Sequence, residues 1–314
     1  MKNGLRIAGI VCTILFVGFA FSQVNWRTFF LALASLRYPW VAAGALCLLG
    51  SMYFRSIRWF LVTGLPRSDV QKVWRASCAG FLGIIYPARA GEVLRMLRLN
   101  QLTGMGGGLA IASAIADRIL DGLGLGALLL VLIMFRHGAS EIPSGLLFIA
   151  WLFIAAGIFM VAFVVGGHGL ERLFQRLKNL GKSGQRLFVW YQGSLAGLQA
   201  LRSPRRIALI LTCQGLVCLF DIAVCWSLFQ AFGWPLHFMA TVAMLVYLTA
   251  ALALPSTPGY VGIYQTAAIF ALAPFNIGSS EAAAYGSLLQ LLTLILFIGS
   301  GLWAMWVQRA ALAP

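Results

Sequence analysis

The sequence predicts an all-α polytopic membrane protein, and three observations support this fold class. Of the 314 residues, 61% are hydrophobic and only 10% are charged, whereas about 25% are charged in a typical soluble domain. The mean hydropathy is +0.89. Several apolar runs reach or approach the roughly 20 residues that a helix needs to cross a bilayer. These runs are continuous instead of alternating, which favours helices over the strands of a barrel.

Seven apolar runs predict membrane-spanning helices, and two shorter runs predict broken pieces. The seven lie at 5–23, 39–62, 107–135, 143–166, 207–230, 237–254 and 282–307, and the shorter runs at 73–87 and 260–274. Together they predict about seven or eight transmembrane helices. We interpret the first run as an uncleaved anchor, although a cleaved signal peptide also has a basic start and a short apolar run. Residues 25–38 predict an interfacial helix, with a simple loop as the alternative.

Basic residues predict the orientation of these spans, because cytoplasmic loops carry an excess of lysine and arginine. With the N-terminus in the cytoplasm, 19 of the 23 basic residues fall on that side, including Arg55, Arg58 and a cluster from Arg172 to Arg206. This predicts a multi-pass protein of a bacterial inner membrane with a cytoplasmic N-terminus. The net charge of +15 comes largely from these basic loops. Because such loops attract anionic lipid headgroups, the charge does not require a nucleic-acid partner, and we expect none.

We interpret residues 1–314 as a single integral membrane domain made of two halves. They comprise a first half at 1–167, a basic cytoplasmic connector at 168–206 and a second half at 207–314. Each half contains an apolar run interrupted by Pro and Gly, near 83–93 and near 253–264. Pro and Gly break helices, and paired broken segments at membrane depth are typical of transporter sites. The breaks are either re-entrant segments or ordinary loops at the membrane surface.

The stretch behind the first break carries four charges at intervals of three residues: Arg89, Glu92, Arg95 and Arg98. At this spacing the side chains drift slowly around one side of a helix. Glu92 can pair with Arg89 or Arg95, which leaves at least one guanidinium free to bind an oxyanion. A helix that starts after Gly91 also favours an anion at its first turn. The stretch predicts a lipid-phosphate site, or else a cytoplasmic anchor helix whose arginines touch headgroups.

Charged residues also lie inside the apolar run at 107–135. Asp117 and Asp121 share a face of the predicted helix, and Arg118 lies three residues before Asp121. Charges within a span are costly and normally face a partner or a water-filled cavity. The cluster therefore predicts a functional charge network, with a structural ion pair to the first broken segment as the alternative. Asp221 lies alone in another apolar run, and because no partner is visible we interpret it as structural instead of proton-coupling.

No pattern in the sequence predicts a cofactor, a metal site or a catalytic group. The six cysteines have neither CxxC nor Cys/His ligand spacing, and the three histidines are isolated. Residues 104–108, GMGGG, lack the Lys and Ser/Thr of a phosphate-binding loop. We therefore expect no cofactor, no bound metal and no catalytic residue.

Four stretches of the chain together form a pattern found in a known family. They are RSIRWFLV at 55–62, YPARAGEVLRMLRL at 86–99, ADRILDGLG at 116–124 and PSTPGYVGIYQTA at 255–267. In matching order they resemble the flippase-like family formed by the transmembrane region of lysylphosphatidylglycerol synthases, which includes uncharacterised and hopanoid-associated membrane proteins. The resemblance implies a multi-span helical protein that moves or presents lipids between leaflets, often aminoacylated phospholipids or isoprenoid-type lipids. The aminoacyl-transfer domain of those synthases has no counterpart here, so we expect no aminoacyl transfer.

Three positions depart from the pattern that is usual in this family. Ala88 stands where Gly is usual, Asp117 replaces the more usual Glu before Arg118, and Gln265 lies where many relatives carry Glu. The last change removes a charge from the second break. It argues against a proton-linked or cation-binding role at that position.

From these residues we predict a lipid translocase that moves or presents a phosphate-bearing lipid between the leaflets. Arg89, Arg95 and Arg98 are expected to hold the phosphate, beside a charge network that shapes the cavity. The network is Glu92, Asp117, Arg118 and Asp121, and the opposing break is lined by Pro255, Pro258, Gly259, Tyr264 and Gln265. The alternatives are a membrane-embedded lipid-modifying enzyme, such as a glycosyltransferase, and a non-transporting scaffold. Whether the chain forms a homo-oligomer is left open.

Overall fold

The computed structural model describes residues 24–85, 90–134, 203–253 and 258–312, together with Gly18, Ser22, Phe148, Trp151, Leu152 and Ala155. Within these ranges the chain is helical and has no β-strand. The predicted all-α class is confirmed for this part of the chain. Four parts of the chain fall outside the described residues. They are most of the predicted spans at 5–23 and 143–166, most of the connector at 168–206, and residues 86–89 and 254–257 of the two breaks.

The described range 24–85 opens with a short helix, α1, which supports the helical interpretation of residues 25–38 over the loop. The helices are α1 Trp26–Ala34, α2 Tyr38–Thr63, α3 Val70–Phe81, α4 Ala90–Thr103 and α5 Gly107–Met134. A 3₁₀ turn at Arg67–Asp69 leads into α3. A second turn, Leu82–Ile85, follows α3 at the first break.

The second half contains four further helices. They are α6 Pro204–Ala231, α7 Phe238–Ala253, α8 Ile263–Leu272 and α9 Ser279–Leu312, with 3₁₀ turns at Pro258–Tyr260 and Ala273–Phe275. By length and composition, three described helices can cross a membrane: Tyr38–Thr63, Pro204–Ala231 and Ser279–Val307. Helix α5 is also long, with 28 residues, but it carries three charges near its middle.

Local sequence determines where several helices begin and end. The Asn25 side chain accepts hydrogen bonds from the backbone N–H groups of Arg27 and Thr28 and so caps α1. Helices α2 and α6 each carry a proline in the first turn, where the missing N–H would have had no partner in the helix. Helix α2 ends at Gly64, whose φ of 71° is strained for residues with a Cβ atom.

Helices α2 and α6 pack against each other and run antiparallel. At one end of the pair, the backbone N–H of Arg37 donates to the carbonyl oxygen of Ala231 at 2.9 Å. Toward the other end, the guanidinium of Arg58 donates to the side chain of Gln214. This pair therefore joins the first half of the chain to the second along most of the length of both helices.

The two halves have the same order of elements and run in opposite directions. In each half a long helix is followed by two short helices separated by a break, and then by another long helix. Because α2 and α6 are antiparallel, α3 and α7 start from opposite ends of the bundle. The 3₁₀ turns at Leu82–Ile85 and Pro258–Tyr260 contact each other. The two breaks therefore meet within the bundle.

Close packing of α8 and α9 supports the second break. A Cβ atom on Gly286 would lie 2.6 Å from the carbonyl oxygen of Tyr264 and 2.9 Å from the Cα of Gln265, so this approach requires glycine. One residue earlier, the buried Tyr285 hydroxyl donates to the carbonyl oxygen of Cys225 at 3.1 Å. These contacts tie α9 to both α8 and α6.

Candidate functional site

A cavity of about 270 Å³ lies where the two halves and their breaks meet. Every helix from α2 to α9 contributes to its wall, as do the 3₁₀ turns of both breaks. The first half supplies most of the charged side chains, whereas α7 and α9 supply a largely apolar face that includes Leu245, Leu248 and Phe297. The cavity therefore has one charged, polar wall and one apolar wall.

Six charged side chains from α2, α4 and α5 form a closed ring of ion pairs on the polar side, which we call the charge ring. In order around the ring they are Arg58, Asp117, Arg95, Glu92, Arg118 and Asp121. Signs alternate, so each acid lies between two arginines. The ring fastens the short helix α4 to α5 through two ion pairs, and α5 to α2 through two more.

The best-buried part of the ring surrounds Asp117. Arg58 lies 2.7 Å from Asp117 and 2.8 Å from Asp121, and Arg95 lies 2.8 Å from Asp117 and 2.7 Å from Glu92. The Arg58 side chain is 1% exposed and that of Asp117 is 4% exposed. Burial costs each charge several kcal/mol of hydration, and attraction to a partner of opposite charge offsets this cost.

Arg118 closes the ring, and Arg55 extends it into the second half. Arg118 pairs with Glu92 and, at 3.3 Å, with Asp121. Arg55 lies 3.1 Å from Asp121 and 2.6 Å from Asp221. Asp221 therefore has a charged partner, which corrects its interpretation as an isolated acid. The network now bridges α2, α5 and α6.

A hydroxyl completes the junction between the halves. Ser51 on α2 donates to Asp221 at 2.5 Å and accepts from the Arg55 Nε at 3.3 Å. With Arg55 and Asp221 included, the network holds four arginines and four acids and is formally neutral. These are four of the eight acidic residues in the whole chain. This concentration of charge makes the cavity the candidate functional site.

Arg95 is held in one orientation by its neighbours. Its Nε and Nη1 atoms face Glu92 and Asp117, and its guanidinium carbon lies 4.6 Å from the centre of the Trp59 ring. Trp59 is itself fixed, since its indole N–H donates to the Ser113 hydroxyl at 3.2 Å. The remaining nitrogen of Arg95, Nη2, is buried and has no hydrogen-bond partner in the described part of the chain.

Tight packing of α3 on α4 sets the position of Arg95. A Cβ on Gly91 would collide with the carbonyl oxygen of Gly80, and a Cβ on Gly80 would lie 2.7 Å from the Arg95 Cβ. Two glycines thus let the helices approach until their backbones touch. The sequence predicted a helix that starts after Gly91, but α4 already begins at Ala90, so Gly91 lies inside the first turn and not in the break.

The second break is fixed by a neutral network of amides. The Gln265 Oε1 accepts from the backbone N–H of Gly262 at 2.9 Å. Its Nε2 donates to Ser287 at 3.0 Å and to Gln290 at 2.8 Å. Gln290 in turn donates to the carbonyl oxygen of Gly259 at 2.7 Å. The bonds to Ser287 and Gln290, and the bond from Gln290 to Gly259, hold the turn against α9. Gln265 lies behind the break and not on the cavity wall.

The structure brings six of the twelve predicted site residues together at the cavity. Glu92, Arg95, Asp117, Arg118, Asp121 and Tyr264 line the cavity. Gly259 lies in the second break with a φ of 68°, next to Pro258 in the same turn. Arg98 does not line the cavity; its side chain donates to Gln101 at 3.1 Å. Arg89 and Pro255 fall outside the described residues.

Sequence reasoning did not place Arg55 and Arg58 in the charge network, and it did not find the charged partner of Asp221. The count of basic residues assigned Arg55 and Arg58 to the cytoplasmic side, but both lie within α2, which continues to Thr63. A usable signal was present, because two arginines three residues apart inside an apolar run need acids from elsewhere. In the described ranges, no three His, Cys, Asp or Glu side chains are arranged to hold a metal ion.

Comparison with known families matches residues 6–301 to the lysylphosphatidylglycerol synthase TM region. No curated protein and no solved structure matches the chain. The matched range contains both breaks and every member of the charge network. The resemblance inferred from the four sequence stretches is therefore confirmed, and the chain belongs to the family of the lysylphosphatidylglycerol synthase transmembrane region, a family of membrane proteins.

Proposed function

We propose that this protein is a lipid translocase that moves a lipid with a phosphate-bearing headgroup between the leaflets of a bacterial inner membrane. One observation carries the proposal: a cavity lined by a dense charge network lies where two helix breaks meet, inside an otherwise apolar helical protein. Family membership agrees with a lipid-related role.

The charges themselves support a polar cargo. Ionisable side chains at membrane depth are costly and mark pathways for polar or charged groups. Here four arginines and four acids surround one cavity, and Arg118 and Arg55 keep 47% and 33% of their side chains exposed. Their partial exposure suits a network that meets a headgroup.

The arrangement of the halves supports movement across the bilayer. Oppositely oriented halves with broken helices at their interface are typical of transporters, whose substrate sites lie between the breaks. Helices α3, α4, α7 and α8 have 12, 14, 16 and 10 residues. At about 1.5 Å per residue, each is shorter than the roughly 30 Å hydrocarbon layer. We infer that both short pairs are re-entrant and enter from opposite faces.

The apolar face of the cavity supports a lipid over a soluble anion. Leu245, Leu248 and Phe297 border the same space as the charges. A headgroup can sit among the arginines while its acyl or isoprenoid tails stay against these side chains and the surrounding bilayer. In this proposal the N-terminus is cytoplasmic, as the basic residues predict.

Reconstituted liposomes test the proposal. Vesicles with a panel of fluorescent lipids (phosphatidylglycerol, an aminoacylated phospholipid and an isoprenoid phosphate) report leaflet exchange when an added quencher bleaches the outer leaflet. We expect wild-type protein to accelerate exchange of at least one phosphate-bearing lipid. Asp121→Asn, which weakens the partner of Arg55, Arg58 and Arg118, should slow it at least tenfold.

A matched control and two adverse outcomes make the test decisive. Asp69→Asn changes an acid that pairs with Lys72 at 2.7 Å outside the cavity and should leave exchange unchanged. Equal exchange in protein-containing and empty vesicles, for every lipid, would refute translocation. A new lipid product formed from added lipid-phosphate donors under those conditions would instead establish the enzyme.

A further inference from the structure

Two buried hydrogen-bond donors of the cavity wall lack partners. They are the Ser77 hydroxyl on α3 and the Nη2 of Arg95 on α4, and neither has a hydrogen-bond partner within the described residues. Ser77 as a whole is 4% exposed. Leaving a buried donor unsatisfied costs about 1–3 kcal/mol. Both donors line the same cavity, so one bound group can satisfy both.

The two donors belong to facing sides of one helix pair. Gly80, one turn beyond Ser77, lies so close to α4 that a Cβ there would come within 2.7 Å of the Arg95 Cβ. The Trp59 ring and the two acid partners of Arg95 fix its guanidinium, so Nη2 is the edge left open. Other orphaned hydroxyls, those of Thr241 and Thr266, do not line the cavity.

The chemistry of these donors favours an oxyanion. A guanidinium edge and a hydroxyl both donate, and a phosphate oxygen accepts from several donors at once. The carboxylates of Glu92 and Asp117 lie 2.7 Å from the Arg95 Nε and 2.8 Å from its Nη1, so neither is paired with Nη2. Gly91 in the first turn of the 14-residue helix α4 lines the same cavity, and the partial positive charge at a helix start favours an anion there.

From these observations the structure assigns a phosphate subsite to Ser77 and Arg95, in which the Ser77 hydroxyl and the Arg95 Nη2 donate to oxygens of one phosphate group. This assignment rests on the proposed function for its source of phosphate, the headgroup of a lipid. Free inorganic phosphate has the same oxygens and is the other source of this chemistry. Ser77 is a binding residue that the sequence analysis did not identify.

Calorimetric titration of the purified protein in an uncharged maltoside detergent tests the subsite. The ligands are short-chain phosphatidylglycerol, the matching diacylglycerol without phosphate, and inorganic phosphate. Loss of a hydrogen bond to a charged group costs about 1.5–3 kcal/mol, so Ser77→Ala should weaken phosphatidylglycerol binding at least tenfold. Ser77→Ala should fold normally, because it removes a hydroxyl that has no hydrogen-bond partner in the described residues.

Ser227→Ala is the matched control, since Ser227 is equally buried at 4% exposure but does not line the cavity. It should bind phosphatidylglycerol like the wild type, and diacylglycerol should bind all three proteins equally. Unchanged phosphatidylglycerol affinity in Ser77→Ala, or no binding of either phosphate compound to the wild type, would overturn the subsite. If wild-type vesicles still exchange lipid, the proposed function survives that result. Ser77-dependent binding of inorganic phosphate without binding of the lipid would keep the subsite and overturn the translocase.

Discussion

Replacing Arg58 with methionine probes the charge ring most directly. Arg58 is fully buried and donates to Asp117, Asp121 and Gln214. Methionine keeps much of the apolar stem that packs within the bundle but removes the cation. The substitution therefore isolates the electrostatic part of the interaction more cleanly than alanine would.

The size of the effect follows from the partners that remain. Removing one member of a buried ion pair typically costs about 3–5 kcal/mol, because the other charge is left uncompensated. Here Asp117 keeps Arg95 at 2.8 Å, and Asp121 keeps Arg55 at 3.1 Å. We therefore expect the lower end of the range, a loss of about 3 kcal/mol in the free energy of unfolding.

Unfolding in mixed micelles, by titration with a denaturing detergent and circular dichroism, measures this loss. Arg27→Met on α1 is the control, because Arg27 is exposed and surface substitutions usually stay within about 0.5 kcal/mol. A cycle that adds Asp117→Leu and the double variant should give a coupling of about 1–3 kcal/mol. If Arg58→Met costs no more than Arg27→Met, or if the cycle is additive, the ring does not stabilise the fold as argued.

Two further substitutions test the second break by the same unfolding measurement. Gly286→Ala should cost about 2–3 kcal/mol, since the added Cβ overlaps the α8 backbone. Gly299→Ala on the same helix meets no atom within 4 Å and should cost nothing; equal losses would contradict the packing argument. Gln265→Leu should cost about 2–4 kcal/mol because Gly262 and other groups lose buried partners. The exposed Gln101→Leu should be nearly neutral, and a neutral Gln265→Leu would show that the amide network does not hold the break.

The sequence predicted the long helices well because continuous apolar runs leave few alternatives in a bilayer. The run at 39–62 became Tyr38–Thr63, and the run at 207–230 became Pro204–Ala231, whereas the run at 237–254 became the shorter helix Phe238–Ala253. It also predicted two breaks, since Pro and Gly act on the backbone locally. The charges at 92, 95, 117 and 121 could be grouped because they share helix faces over short distances. Each of these inferences depends on neighbours in the chain.

The remaining features depend on partners that are distant in sequence. Asp221 looked isolated because its partner Arg55 is 166 residues away. Arg58 looked like a cytoplasmic charge because the extent of α2 and the acids of α5 were both needed to place it inside the bundle. Nothing in the sequence pointed to Ser77 as a binding residue. Its buried hydroxyl becomes informative only when the structure shows that it lacks a hydrogen-bond partner among the described residues.

The closed form of the charge ring has a consequence for how anything enters the cavity. A linear row of ion pairs falls into separate pieces when one contact is cut, whereas a ring cut once remains a single connected chain. A headgroup can therefore displace one contact, such as the 3.3 Å pair between Arg118 and Asp121 within α5, while the four contacts between helices continue to hold α2, α4 and α5 together. The closed ring therefore both stabilises the helix packing and allows one ion pair to open without separating the helices.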